Sequence, residues 1–339
     1  MTTTPLCSPF PLSFQWQTQN PFIFCINHED YFPAGNEEMG PAASVEGRDI
    51  GNDFVIRDGW RMYHGDKVPG FPEHPHRGFE TVTLVEKGLV DHADSLGAAG
   101  RYGNGDVQWM TAGKGIQHAE MFPLLSRESE NPLKLFQIWL NLPQVSKFVE
   151  PNYTMLWAED IPVAGHKDDC GKETVVSVIA GTLDSVEAPR PAPDSWAADP
   201  ANGVAIWRIS MQSGASWTLP AADANVNRSL YFFKGTSMRI GTVEVAVNNG
   251  MMLDAAEAMP LVNADGEAQL LMLQAKPIDE PVVQYGPFVM NSQDEIRQAF
   301  ADYQKTQFGG WPWERRDPVH ARGKGRFAGF ADGTEIVRD

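Results

Sequence analysis

The sequence predicts an all-β protein built as two antiparallel β-barrels, followed by one short C-terminal helix. Three observations carry this. Apolar runs are short, and 31 glycines and 25 prolines punctuate the 339 residues, the signature of many strands joined by turns. A weak repeat of turns relates the two halves. Near the end stands a single strong helix start, Ser292-Gln293-Asp294-Glu295, a capping box.

Six stretches read as strands in chain order. Residues 79–86 alternate threonines with Val82 and Leu84. Residues 134–142 set Leu135, Gln137 and Trp139 against Phe136, Ile138 and Leu140. Residues 174–180, 205–211, 230–233 and 268–274 pattern similarly. Lys87-Gly88 and Asn104-Gly105 mark turns in the first half, and Lys234-Gly235 and Asn249-Gly250 occupy comparable places in the second. Aligning them sets Ala221 and Asp223 against His74 and His76, and Asn263 and Asp265 against His118 and Glu120. Residues 188–202, rich in Pro, Ala and Asp, read as a surface loop. After the capping box, Ile296, Phe300 and Tyr303 form an apolar stripe expected to pack on a barrel, and Phe308-Gly309-Gly310 closes the helix. Residues 311–327 mix tryptophans, prolines and basic side chains; an arm wrapped over its own barrel is expected there. The expected division is 1–165 for an N-terminal metal-binding barrel, 166–291 for a C-terminal barrel without metal ligands, and 292–339 for helix and tail.

Two short pieces concentrate the chemistry. They are His74-Pro75-His76-Arg77-Gly78-Phe79-Glu80 and His118-Ala119-Glu120, and they hold three of the eight histidines. Residues i and i+2 of a strand share a face, so two such strands meeting inside a barrel would converge three imidazoles and one carboxylate. That set, His74, His76, His118 and Glu120, suits iron, manganese, nickel, copper or zinc, and in an octahedral site it leaves two positions open for a chelating substrate or dioxygen. Glu80 would be a fifth ligand or an acceptor orienting an imidazole. Phe79, Trp109, Met110 and Phe122 would line an apolar pocket or serve as ordinary core. Between His166 and His320 there is no histidine, so only the first barrel could hold an imidazole-bound metal.

Composition limits the partners. A formal net charge of −17 lacks the clustered cations that a nucleic-acid polyanion or an anionic membrane surface demands. Cys7, Cys25 and Cys170 are too few and too scattered for a disulfide framework or a thiolate zinc site. Residues 1–16 lack a basic segment followed by an apolar one, so no export signal is expected. A cytoplasmic monomer is expected, or a nuclear one in a eukaryote.

The motifs carry a family resemblance. HxHxxxE followed by Gly88, then Gly105, Thr111-Ala112-Gly113 and His118, resembles the two cupin motifs, with Thr111 in place of the usual proline. FPEHPHRGFETV (residues 71–82), DVQWMTAGKGIQHAEM (106–121) and GPFVMN (286–291) closely resemble the pirin family. The resemblance implies a bicupin fold of jelly-roll type and one divalent metal, Fe(II) first, on His74, His76, His118 and Glu120. It places Glu80 outside the ligand set. It implies either a quercetin 2,3-dioxygenase-type activity on a small chelating hydroxy-keto substrate, or a metal- and redox-sensitive regulator that binds a transcription factor or a metabolic enzyme. For the enzyme, Glu120 would also be the base removing the substrate hydroxyl proton.

Overall fold

A computed structural model describes residues 8–338; Cys7 lies outside them. The chain is nearly all β, with one helix longer than a single turn, Gln293–Thr306, among the described residues. All six expected strands are present, as Phe79–Lys87, Asn131–Asn141, Glu173–Ala180, Ala205–Met211, Asn227–Lys234 and Ala268–Ala275. No helix among the described residues is long and apolar enough to cross a membrane.

Two compact units form, with boundaries that differ from the expected ones. One comprises residues up to 26, 139–141 and 159–279; the other comprises 27–138, 142–158 and 280–339. The reason is long-range strand pairing. Phe10–Pro11 pairs with Asn249–Asp254 in the second half of the chain. Arg326–Gly329 pairs with Ala99–Gly103 in the first half. Helix and tail are therefore part of the unit that carries the HxH and HxE motifs, not a separate segment.

The unit centred on residues 159–279 stacks two antiparallel sheets. A seven-stranded sheet runs in the order Phe10–Pro11, Asn249–Asp254, Asn227–Lys234, Ala268–Ala275, Ala205–Met211, Glu173–Ala180, Val163–Lys167. A four-stranded sheet contains Ser216–Leu219, Met259–Asn263, Ser237–Ile240 and Val243–Ala246. Inward residues of both, such as Val178, Ile209, Leu270, Met238 and Leu261, form one buried core. The expected counterpart of the Asn104-Gly105 turn, Asn249-Gly250, lies inside the strand Asn249–Asp254. Asn104 and Asn248 both take left-handed backbone, at φ 51° and 61°. Asn263, aligned with His118, spends its amide on the carbonyls of Gln212 and Gly266 at 2.8 and 2.7 Å.

The other unit holds Asn152–Leu156, Val107–Thr111, Phe79–Lys87 and most of Asn131–Asn141 and Phe22–Phe32, strands of a five-stranded sheet in that order. The six-stranded sheet runs Glu335–Arg338, Arg326–Gly329, Ala99–Gly103, Leu89–Asp94, Ile116–Met121, Gly70–His76. The last two strands are the HxE and HxH strands, side by side. Half of the capping box forms as expected, with Ser292 accepting from the Glu295 amide at 3.2 Å; the Glu295 carboxylate reaches one residue further back and accepts from the Asn291 amide at 2.9 Å. Its apolar stripe, Ile296, Ala299, Phe300 and Tyr303, packs with Phe288, Met290 and Phe308.

Candidate metal centre

Strand register builds the site. His74 lies directly opposite His118, and Phe71 opposite Glu120, with an irregularity between the two pairs. Cross-strand partners share a face, so His74, His76, His118 and Glu120 all point to the same side of the sheet. The strand turns sharply after His76 because Gly78 sits at φ 84°, and a Cβ there would meet the Val289 carbonyl oxygen at 2.0 Å. Only glycine fits both demands.

The ligand atoms of His74, His76 and His118 lie within 4.8 Å of one another. Among the described residues this is the one group of three or more convergent metal-binding side chains. His76 and His118 are buried and His74 is half-buried. The His74 Nδ1 faces the Pro72 carbonyl oxygen at 2.9 Å, and the His76 Nδ1 faces that of Pro287 at 3.4 Å. A carbonyl only accepts, so each Nδ1 donates and the lone pair is left on Nε2. Burial pushes the His74 pKa down to about 4 and those of His76 and His118 well below the usual imidazole value. All three rings are held neutral, the form that binds metal. Both ring nitrogens of His118 are buried without a hydrogen-bond partner, which costs about 1–3 kcal/mol per group unless something fills the place. Three neutral, convergent imidazoles, one of them unsatisfied at the core of the group, fit a single divalent metal ion.

Glu120, the fourth expected ligand, is not part of this convergent group. Its Oε2 is 3.8 Å from His118 Nε2. Oε1 accepts from Thr83 Oγ1 at 3.1 Å and Oε2 from Gln137 Nε2 at 3.1 Å. Burial raises its pKa, against the opposing effects of His92 and these hydrogen bonds. A cation among the imidazoles would favour the carboxylate. Glu80 is not in the convergent group; its Oε1 accepts from Trp109 Nε1 at 3.1 Å and Thr111 Oγ1 at 2.8 Å. Phe79 lies edge-on to His76, with ring centres 5.0 Å apart. Phe122 packs on Phe71, which in turn sits 6.3 Å from the His74 ring.

A third strand contributes a pair that sequence reasoning passed over. His92 lies opposite Glu120 and Asp94 opposite His118, so HxD joins HxH and HxE on the same face. His92 Nε2 is 3.3 Å from Asp94 Oδ2, its ring stacks on Tyr153 at 5.0 Å, and its centre is 5.6 Å from that of His118. The i, i+2 spacing in Leu89–Asp94 was the available signal. GPFVMN was also misplaced by its position late in the chain, since Pro287 supplies the carbonyl facing His76.

Comparison with known proteins agrees with this architecture. A family model described as Pirin matches residues 17–140, and one described as Pirin C-terminal cupin domain matches residues 206–309. A Pseudomonas aeruginosa protein named "Putative quercetin 2,3-dioxygenase" is 37% identical over 239 residues, spanning 70% of this chain and 79% of that relative. The Mus musculus protein named Pirin is 35% identical over 253 residues, 73% of this chain and 80% of its own length. A crystal structure of quercetin 2,3-dioxygenase from Acinetobacter baumannii superposes with a TM-score of 0.69 at 24% identity, covering 90% of this chain and 98% of that one. Its fold is the same. With a 37% identical relative spanned over most of its length, and both halves matched by that family's models, this chain belongs to the pirin family of the cupin superfamily.

Proposed function

We propose that this chain holds one divalent metal ion, iron(II) by preference, on His74, His76, His118 and Glu120, and that it opens the ring of a hydroxy-keto substrate of the quercetin type with dioxygen. One observation carries the reading: three neutral imidazoles converge within 4.8 Å around a His118 ring that has no hydrogen-bond partner. The name of the Pseudomonas relative supports the substrate class.

The bound ion would supply Lewis acidity toward the adjacent hydroxyl and keto oxygens and a redox-active centre for dioxygen. The protein's own groups do the rest. The Pro72 and Pro287 carbonyls fix the tautomers of His74 and His76. Phe79, packed on His76, keeps water from that side of the ring. Glu120 takes the substrate hydroxyl proton at Oε2, the oxygen nearer His118. Thr83 and Gln137 keep it aimed.

Anaerobic addition of quercetin to iron(II)-loaded protein tests this. The flavonol absorption band is expected to shift, and admission of oxygen to consume it over many turnovers. A shift without consumption beyond one equivalent leaves a ligand-binding site and transfers the case to a regulatory protein. No shift removes flavonols as the substrate class.

A further inference from the structure

In the HxH and HxE strands, the residues flanking the ligands point to the opposite, outer face of the sheet, and three of them bind one segment of chain. Glu73, before His74, receives Arg316 Nε on its carboxylate at 2.8 Å and donates its amide to the Arg316 carbonyl at 2.7 Å. Arg77, after His76, binds Asp302 at 2.7 Å and lies over the Phe308 ring, 4.5 Å from its centre. Gln117, before His118, is fully buried. Its Nε2 donates to the carbonyls of Gln307 at 2.7 Å and Gly310 at 3.2 Å, and its Oε1 accepts from Tyr303 OH at 2.8 Å.

That segment pays a conformational cost to be there. Gln307 and Phe308 both adopt left-handed backbone, at φ 49° and 47°, which is unfavourable for residues with a Cβ. Such a turn persists only where its surroundings over-determine it. Here Phe308 fills the space over Gly115, where a Cβ would meet its ring at 2.7 Å, and Gln117 binds the carbonyls on either side of it. The family model for the C-terminal domain ends at residue 309, so Arg316 lies beyond it.

We propose that residues 293–316 are a positioning element of the metal centre: a splint on the outer face that sets the spacing between the HxH and HxE strands. The proposal rests on the metal-binding reading above. Gln117 is its principal contact, since it is the neighbour of His118 and makes three hydrogen bonds to the splint. By reciprocity, whatever the splint adds to metal affinity the metal adds to splint docking.

The test uses full-length, untagged protein and zinc(II), which is redox-inert, with a chromophoric chelator as competitor. Partners outside the ligands of metal sites are typically worth roughly 10- to 100-fold in affinity, so Gln117→Ala is expected to weaken zinc binding by about tenfold or more. Tyr303→Phe removes one hydroxyl, and a smaller loss in the same direction is expected; it serves as the reading if Gln117→Ala does not fold. Arg297→Ala, at a residue that pairs with Asp294 in the same helix, is the control and keeps the parent's affinity. Zinc is also expected to slow amide exchange over residues 303–316 in the parent but not in His118→Ala. Affinities of Gln117→Ala and Tyr303→Phe equal to the control, with no zinc effect on exchange, overturn the splint and leave the metal site standing. A parent that binds no zinc through His118 overturns both.

Discussion

At the scale of single residues, the site depends on one carboxylate, Glu120, held by Thr83 and Gln137. Glu120→Gln keeps the shape and one acceptor oxygen for Thr83, and its amide NH2 meets Gln137 once the Gln137 amide turns to present its oxygen, so the variant should fold. It removes a charged ligand and the base together. Turnover on a flavonol is expected to fall by about 10²–10⁴-fold, with weaker metal binding, as steady-state kinetics and metal analysis would show; parental turnover would remove Glu120 from the chemistry. His28 gives a separate, pH-linked prediction. Burial first and Arg61 second push its pKa down to about 3, while in the unfolded chain an imidazole titrates near 6.5. Between those values the unfolded chain binds more protons, so stability falls as pH falls, by up to about 1.4 kcal/mol per pH unit from this group. Above pH 6.5 the contribution is constant. Urea unfolding of metal-free His28→Leu should show a shallower decline between pH 6 and 4 than the parent; an unchanged slope contradicts this.

At the scale of elements, the helix and the turn after the HxH strand depend on named contacts. Ser292→Ala removes the acceptor for the Glu295 amide and is expected to cost about 1 kcal/mol of stability, read as a lower urea midpoint with unchanged slope. Gly78→Ala is more severe. It combines φ 84° with a Cβ placed on the Val289 carbonyl oxygen. A loss well above the ordinary mutational cost of about 1 kcal/mol follows, together with misplacement of His76. A Gly78→Ala protein with parental stability and metal content would show that the turn relaxes without consequence. Strand identity was legible from alternation in six stretches, because each buries one or both faces in a regular way. The HxD strand was not, because Leu89–Asp94 reads as an ordinary short strand until its register against Ile116–Met121 is known.

At the scale of the whole molecule, one convergent histidine group among the described residues predicts one metal per chain. Elemental analysis giving two, or full occupancy in a His74→Ala, His118→Ala double variant, would contradict it. That variant should keep the parent's circular dichroism, since two large β cores do not depend on one ion. The net charge of −17 predicts at most weak binding to random duplex DNA at physiological salt, because counterion release needs cations to drive it. A tight gel shift by the protein alone would refute this.

The local pattern of the chain determined its class, its helix start and the ligand pairs, because side-chain alternation and capping are set by neighbours a few residues apart. HxH and HxE at strand spacing placed side chains of metal-binding type on one face, and the histidine-free stretch after His166 confined any imidazole cluster to one half. Tertiary structure alone decided what stands around it. Pairing of Phe10–Pro11 with Asn249–Asp254 and of Arg326–Gly329 with Ala99–Gly103 joins residues more than two hundred positions apart, and no local periodicity encodes such a partner. The same long-range docking brought Pro287 to His76, His92 beside Glu120, and the C-terminal segment behind Gln117, because burial of apolar surface selects partners by shape across the whole chain rather than by sequence distance.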